Sequence, residues 1–185
     1  MKITYKNLTT ATWQDFASLF GERGACGGCW CMYWRLRNKD YETRKGAGNK
    51  RAMKKLVKDG KQIGLIMYVD DVPVGWCSVA LREDFIRMET SRILKPVDDN
   101  SVWLIVCFFM HKNYRRKGYS VKLLTEVTGY CKKRGAEIVE GYPVEPKKGD
   151  MPPAFAWIGI AAAFRKAGFT EVARRSETRP IMRCM

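Results

Sequence analysis

Residues 102–120 read VWLIVCFFMHKNYRRKGYS, and this stretch decides the fold. Val102 to Met110 is apolar at odd and even positions alike, the pattern of a strand covered on both faces and therefore central in a sheet. It runs into a basic loop containing Gly118 and then into a helix. The helix has Leu123, Leu124, Val127 and Cys131 on one side and ends at Gly135. A helix N-terminus leaves backbone N–H groups unpaired and carries partial positive charge, so it holds phosphates well. Gly118 lets the backbone approach a ligand closely, and Arg115, Arg116 and Lys117 place charge where two phosphates would sit.

Upstream, Lys2 to Lys6 reads as a strand. Thr12 is the expected cap of a helix whose apolar positions Trp13, Phe16, Ala17 and Phe20 recur at helical spacing before Gly21. After the Gly- and Cys-rich segment Gly24 to Trp34, a basic helix is expected from about Asn49 to Lys58. Gly64 to Val69 and Val74 to Leu81 then form an antiparallel hairpin around Asp70-Asp71-Val72-Pro73. Downstream, the periodicity predicts a strand over Glu137 to Tyr142 and a helix over Phe155 to Ala167. A terminal hairpin of Phe169 to Arg175 with Pro180 to Cys184 follows. Short segments of both types imply an α/β or α+β sheet covered by helices.

No repeat, low-complexity linker or composition shift divides the chain, so residues 1–185 are expected to form one domain, and 46% hydrophobic residues suffice for its core. The longest apolar run, Ser101 to Met110, is about half a membrane span, and Met1 to Thr10 lacks a signal-peptide core. Seven cysteines, an odd number scattered among predicted elements, argue against a disulfide framework. These features predict a cytoplasmic protein with reduced thiols. The net charge of +15 favours anionic partners, a nucleic acid or a polyphosphate.

The sequence Arg115-x-x-Gly118-x-Ser120 between strand and helix resembles the Arg/Gln-x-x-Gly-x-Gly/Ala pyrophosphate loop of the GNAT superfamily of N-acyltransferases, with Ser120 in place of the usual Gly or Ala. Phe164-Arg165-Lys166-Ala167-Gly168-Phe169 resembles the family's second cofactor-binding segment. The resemblance implies a GNAT-type α/β acyltransferase fold: a mixed, mostly antiparallel sheet of about seven strands, splayed between two central parallel strands and flanked by about four helices. It further implies acetyl-CoA as the acetyl donor, bound by Arg115, Arg116, Lys117, Gly118, Tyr119 and Ser120. Phe108, Phe109 and Met110 stand where family members pair with pantetheine, and Phe164 stands beside the cofactor. The implied transfer is direct: an amine attacks the thioester while a backbone N–H stabilises the oxyanion. Phe164 occupies the place of a tyrosine that in many members protonates the departing thiolate, and phenylalanine cannot donate a proton.

Within that frame Glu140 is the candidate general base. Tyr142, on the same face by strand alternation, is the candidate acid, and Asp98 and Asp99 are weaker candidates. Trp30, Tyr33 and Trp34 are candidate walls of the acceptor cleft. Cys26-x-x-Cys29-x-Cys31 suggests zinc, but a fourth ligand is missing nearby and His111 lies at the phosphate loop, so no metal is expected. The acceptor is an amine of unknown identity, a small molecule by preference. A homodimer is compatible with the family, and no membrane contact is expected. The rival class is a basic RNA-binding or CoA-binding regulatory protein without transferase activity. Its strongest support is the basic helix with Arg51, Lys54, Lys55 and Lys58, although no aromatic-plus-basic RNA motif accompanies it, so nucleic acid is not the expected partner.

Overall fold

A computed structural model describes residues 1–147, 152 and 155–185. Its sheet grows from the hairpin of Gly64–Val69 (β2) and Val72–Leu81 (β3). Asp70 and Asp71 both take positive φ, 47° and 63°, the two-residue turn whose twist matches that of paired strands. β3 therefore starts at Val72, earlier than the expected Val74, and a bulge at Met67/Tyr68 absorbs the register shift. With Ile3–Asn7 (β1), Trp103–Met110 (β4), Val139–Gly141 (β5), Thr170–Arg174 (β6) and Pro180–Cys184 (β7), the seven strands lie in the order β1-β2-β3-β4-β5-β7-β6.

Among the paired strands of the described residues only β4 and β5 run parallel, which suits the central apolar strand. Their ladder joins Trp103 to Val139, Leu104 to Glu140 and Ile105 to Gly141, and there it stops while β4 continues to Met110. This is the splay. β5 is thus shorter than the expected Glu137–Tyr142. A second bulge interrupts the β3–β4 register: Ser78 pairs with Cys107 and Val79 with Ile105, leaving Val106 as the extra residue. Side chains normally alternate faces along a strand, but across this bulge Val106 and Cys107 join the same core cluster, and Phe108 returns to the other.

Among the described residues five α-helices cover the sheet. On one face lie Trp13–Phe20 (α1), Asn38–Thr43 (α2) and Ala47–Lys58 (α3), which bury Phe16, Phe20, Tyr41, Met53 and Val57 against Ile66, Trp76, Leu104 and Tyr142. On the other lie Tyr119–Lys132 (α4) and Ala161–Lys166 (α5), packed through Leu123, Leu124, Val127 and Phe164 on Met67, Cys77, Ile105 and Val139. The short α2 was not expected. Thr12 does precede α1, but its hydroxyl donates back to the Asn7 carbonyl (2.7 Å) and accepts from the Thr9 N–H, so it does not cap the helix. α5 is half the expected Phe155–Ala167, because Gly159 takes φ 90° and Ile160 is extended to form a parallel bridge with Val144. Among the described residues no helix is long and apolar enough to cross a membrane.

Candidate active site

The apolar strand β4 delivers the chain to the basic loop. Gly118 sits at the N-cap of α4 with φ 78° and ψ −3°, the left-handed conformation that glycine adopts without strain. The backbone N–H groups of Lys117, Gly118, Tyr119 and Ser120 meet no acceptor among the described residues, as expected of a helix start. Lys117 and Arg116 are exposed beside them. Arg115 is half-buried, its Nε–H donating to the Met110 carbonyl (2.8 Å), which ties the loop to the end of β4. The Tyr119 ring is buried edge-on to Tyr114, so its backbone rather than its side chain faces the loop. A Cβ at position 118 would meet nothing within 4 Å. Among the described residues the loop is a positively charged cradle whose four backbone N–H groups meet no acceptor, and a pyrophosphate fits it.

Beyond the last rung of the β4–β5 ladder, β4 exposes a backbone edge toward the gap. The Phe108 N–H is aimed there and donates to the carbonyl of Trp157 at 2.6 Å. Phe108 and Met110 are buried on the α4 side, and Phe109 packs on the α1 side against Phe20. Trp157 also stacks on Trp34 (centroids 5.9 Å) and meets Tyr33 edge-on (5.2 Å), so these three rings wall the α1 side of the splay. Trp30, by contrast, is buried among Trp13, Phe16 and Phe20 as core. Phe164 is fully buried against Gly141 and Gly159, where a Cβ would approach its ring to 2.3 and 2.6 Å. It closes the α5 side of the gap as a plain apolar surface.

The two carboxylate and phenol candidates are together, but not free. Glu140 is fully buried; its Oε2 accepts from Arg183 Nε (2.7 Å), and Arg82 Nη1 lies 3.5 Å from its Oε1. Tyr142 donates its O–H to Glu140 and accepts from Arg82 Nη1 (2.7 Å). Arg183 in turn grips Asp98 with both terminal nitrogens (2.5 and 3.1 Å). Hydrogen bonding from Arg183 holds the Asp98 carboxyl down at about 2, while burial and then the Glu140 charge push the Tyr142 phenol well above the ordinary tyrosine value. This geometry argues against the expected roles of Glu140 as base and Tyr142 as acid. One is a carboxylate neutralised by two arginines, and the other has its proton committed to that carboxylate. The network locks β5, β7 and the segment before β4 together beside a cavity of about 250 Å³.

Sequence reasoning missed Arg82, Arg183 and Trp157. The arginines lie on β7 and just after β3, far from Glu140 along the chain, and no local pattern joins them. Trp157 was hidden inside the helix expected there. Cys26, Cys29 and Cys31 range from exposed to buried, and among the described residues no group of three His, Cys, Asp or Glu is placed to hold a metal ion.

The chain's likeness to solved structures extends over nearly its whole length. PaiA N-acetyltransferase from Thermoplasma acidophilum, solved with coenzyme A, is 15% identical with a TM-score of 0.54, covering 99% of this chain and 98% of that one. The aminoglycoside acetyltransferase AAC(6′)-Iy, solved with a bisubstrate analogue, is 12% identical with a TM-score of 0.54, covering 97% and 98%. yncA from Salmonella typhimurium, solved with its cofactor acetyl-CoA, is 13% identical with a TM-score of 0.53, covering 99% and 93%. At these identities the likeness speaks for the fold. No curated protein matches the chain in sequence. The family model for the Acetyltransferase (GNAT) family matches residues 30–146, a span that includes the parallel strands β4 and β5, the cradle, and Arg82, Asp98, Glu140 and Tyr142, and the chain belongs to that family.

Proposed function

We propose that this acetyltransferase moves the acetyl group of acetyl-CoA directly to a primary amine on a small molecule, in the cytoplasm. The observation that carries the reading is the pairing of the α4 cradle with the splay: unpaired N–H donors for a pyrophosphate lie at the end of the same strand whose edge is left open. Arg116, Lys117 and the N–H groups of Lys117 to Ser120 would hold the diphosphate. Phe108 and Met110 would flank the pantetheine arm, and Phe164 would close its far side. Acetyl-CoA supplies a thioester, whose carbon accepts an amine and whose thiolate leaves readily. The Phe108 N–H is the donor that could stabilise charge on the thioester oxygen, once the Trp157 carbonyl moves off it.

A small acceptor is favoured because Tyr33, Trp34 and Trp157 meet ring to ring across the α1 side of the splay, an aromatic surface that suits a compact ligand. Free thiols at all seven cysteines suit a reducing compartment. The aminoglycoside enzyme AAC(6′)-Iy shows the same fold holding an analogue that joins CoA to an acetylated amine. The test is acetyl transfer, followed by mass spectrometry of products, to a panel of neamine, spermidine, free amino acids and a peptide amine. Turnover of a small amine with none of the peptide is expected. Acetylation of the peptide alone would overturn the size argument, and no transfer to any amine, with no binding of acetyl-CoA, would overturn the reading itself.

A further inference from the structure

Helix α3 has no part in the cradle or the splay, yet it carries five cations in its 12 residues. Asn49, Met53 and Val57 form its buried stripe, and Lys50, Arg51, Lys54, Lys55 and Lys58 are all exposed. No acidic residue stands between Arg44 and Lys58. Among the described residues Lys55 alone of the five has an ion-pair partner, Asp59 at 2.6 Å. Like charges four residues apart on a helix repel, and Lys50 with Lys54, Arg51 with Lys55 and Lys54 with Lys58 are such pairs. The packed apolar stripe holds the helix together against that repulsion, which a bound polyanion would relieve.

Two of these lysines are held in place by the core beneath them. The Lys50 ammonium lies 4.7 Å from the Trp30 ring centre, and the Lys54 ammonium 5.7 Å from that of Trp13. The two indoles are buried and stacked, with centroids 6.4 Å apart and planes at 21°. Buried rings stay where they are, so the attraction between ammonium and ring orders the lysines before a partner arrives. Side chains ordered in advance lose less freedom on binding. Residues four apart rise by about 6 Å along a helix, so Lys50, Lys54 and Lys58 stand in a row of even steps.

We infer that the exposed face of α3 binds the phosphate backbone of a nucleic acid strand, through Lys50, Lys54 and Lys58 with Arg51 beside them. Even spacing selects this partner: phosphates recur at even steps along a strand, whereas the carboxylates of an acidic peptide sit on flexible stems. An anionic membrane is held by apolar side chains as well as by charge, and no large apolar side chain of α3 is exposed. Nor does α3 carry an aromatic residue to stack on a base, so the surface reads charge and not sequence. α3 packs on one face of the sheet and α4 on the other, which separates this surface from the cradle. Strand and acetyl-CoA therefore bind together, and the inference stands whether or not the acetyl-transfer reading does.

The test is fluorescence anisotropy of the full chain with labelled oligouridine and oligothymidine of about 20 nucleotides, the tighter of the two identifying the strand. Combining Lys50→Gln, Lys54→Gln and Lys58→Gln removes three phosphate contacts and should flatten the slope of log K against log salt by about 2. Between about 50 and 200 mM salt, wild type should then lose about 20-fold more affinity than the variant. Lys132→Gln, Lys133→Gln and Lys166→Gln combined remove the same charge from exposed positions on the α4 side, and should keep the wild-type slope. Saturating acetyl-CoA should leave the affinity unchanged. If the α3 variant does not fold, mass spectrometry of wild type treated with acetic anhydride should show Lys50, Lys54 and Lys58 protected by the bound strand. No binding at about 50 mM salt would overturn the inference, as would equal flattening by both variants, which would mean net charge alone. Displacement by acetyl-CoA would also overturn it, by moving the strand to the cradle. So would polyglutamate competing as well as the oligonucleotide, or anionic vesicles binding where the oligonucleotide does not.

Discussion

Gly118→Asp separates folding from cofactor binding, because the two effects of the change are of different kinds. Nothing lies within 4 Å of a Cβ at this position, so the apoprotein meets no clash and bears only the strain of a side chain at φ 78°. That strain is about 1–2 kcal/mol. For a chain of 185 residues, with about 2–4 °C of melting temperature per kcal/mol, the apoprotein should melt about 2–8 °C lower. Acetyl-CoA at 100 times its Kd should stabilise wild type by about 2.7 kcal/mol, a rise of about 5–11 °C. In the variant a carboxylate stands among N–H donors aimed at a pyrophosphate, and the rise should fall below about 1 °C. Gly118→Ala, with the same strain and no charge, should keep part of it. Differential scanning fluorimetry over a cofactor series is the assay. A Gly118→Asp protein with the wild-type rise would place the cofactor away from this loop.

Glu140→Gln should lower stability by about 3 kcal/mol, since it removes the charge that Arg183 and Arg82 neutralise inside the protein, and the urea midpoint will report it. If it instead left stability intact and removed the acid limb of kcat, Glu140 would be the base after all. Asp98, depressed to about 2 by Arg183, contributes stability that is present above the ordinary carboxylate pKa of about 3.9 and lost as pH falls toward 2. Urea midpoints measured from pH 5 to 2 should fall less steeply in Asp98→Asn, and parallel curves would contradict this. Phe164→Tyr places a hydroxyl in a fully buried apolar site and should cost about 1–3 kcal/mol without raising kcat. A faster variant of unchanged stability would mean that the hydroxyl reaches the departing sulphur.

The sheet and the cradle were legible because their signals are local. β4 announces itself by nine consecutive apolar residues, Val102 to Met110, and the cradle by a left-handed glycine between basic residues and a helix. The Glu140 network was not legible, because what makes it is relational. Glu140 reads as a strand carboxylate until Arg183 on β7 and Arg82 just after β3 arrive to neutralise it. The helix over Phe155–Ile160 was misplaced for a similar reason: the chain turns at Gly159 and Ile160 pairs with Val144, a partner that helical periodicity does not see.

The bond from the Phe108 N–H to the Trp157 carbonyl also bears on how the empty enzyme survives in a crowded cell. A strand that loses its neighbour in mid-sheet presents an edge able to recruit another chain. Here the Trp157 carbonyl caps that edge at Phe108 and the Arg115 side chain caps it at Met110, so two of its hydrogen-bonding groups are already taken. The same two contacts leave fewer free backbone groups for a foreign strand to pair with. Weakening them, as in Arg115→Ala, should therefore show first as self-association of the cofactor-free protein, and acetyl-CoA, by occupying the edge, should suppress it.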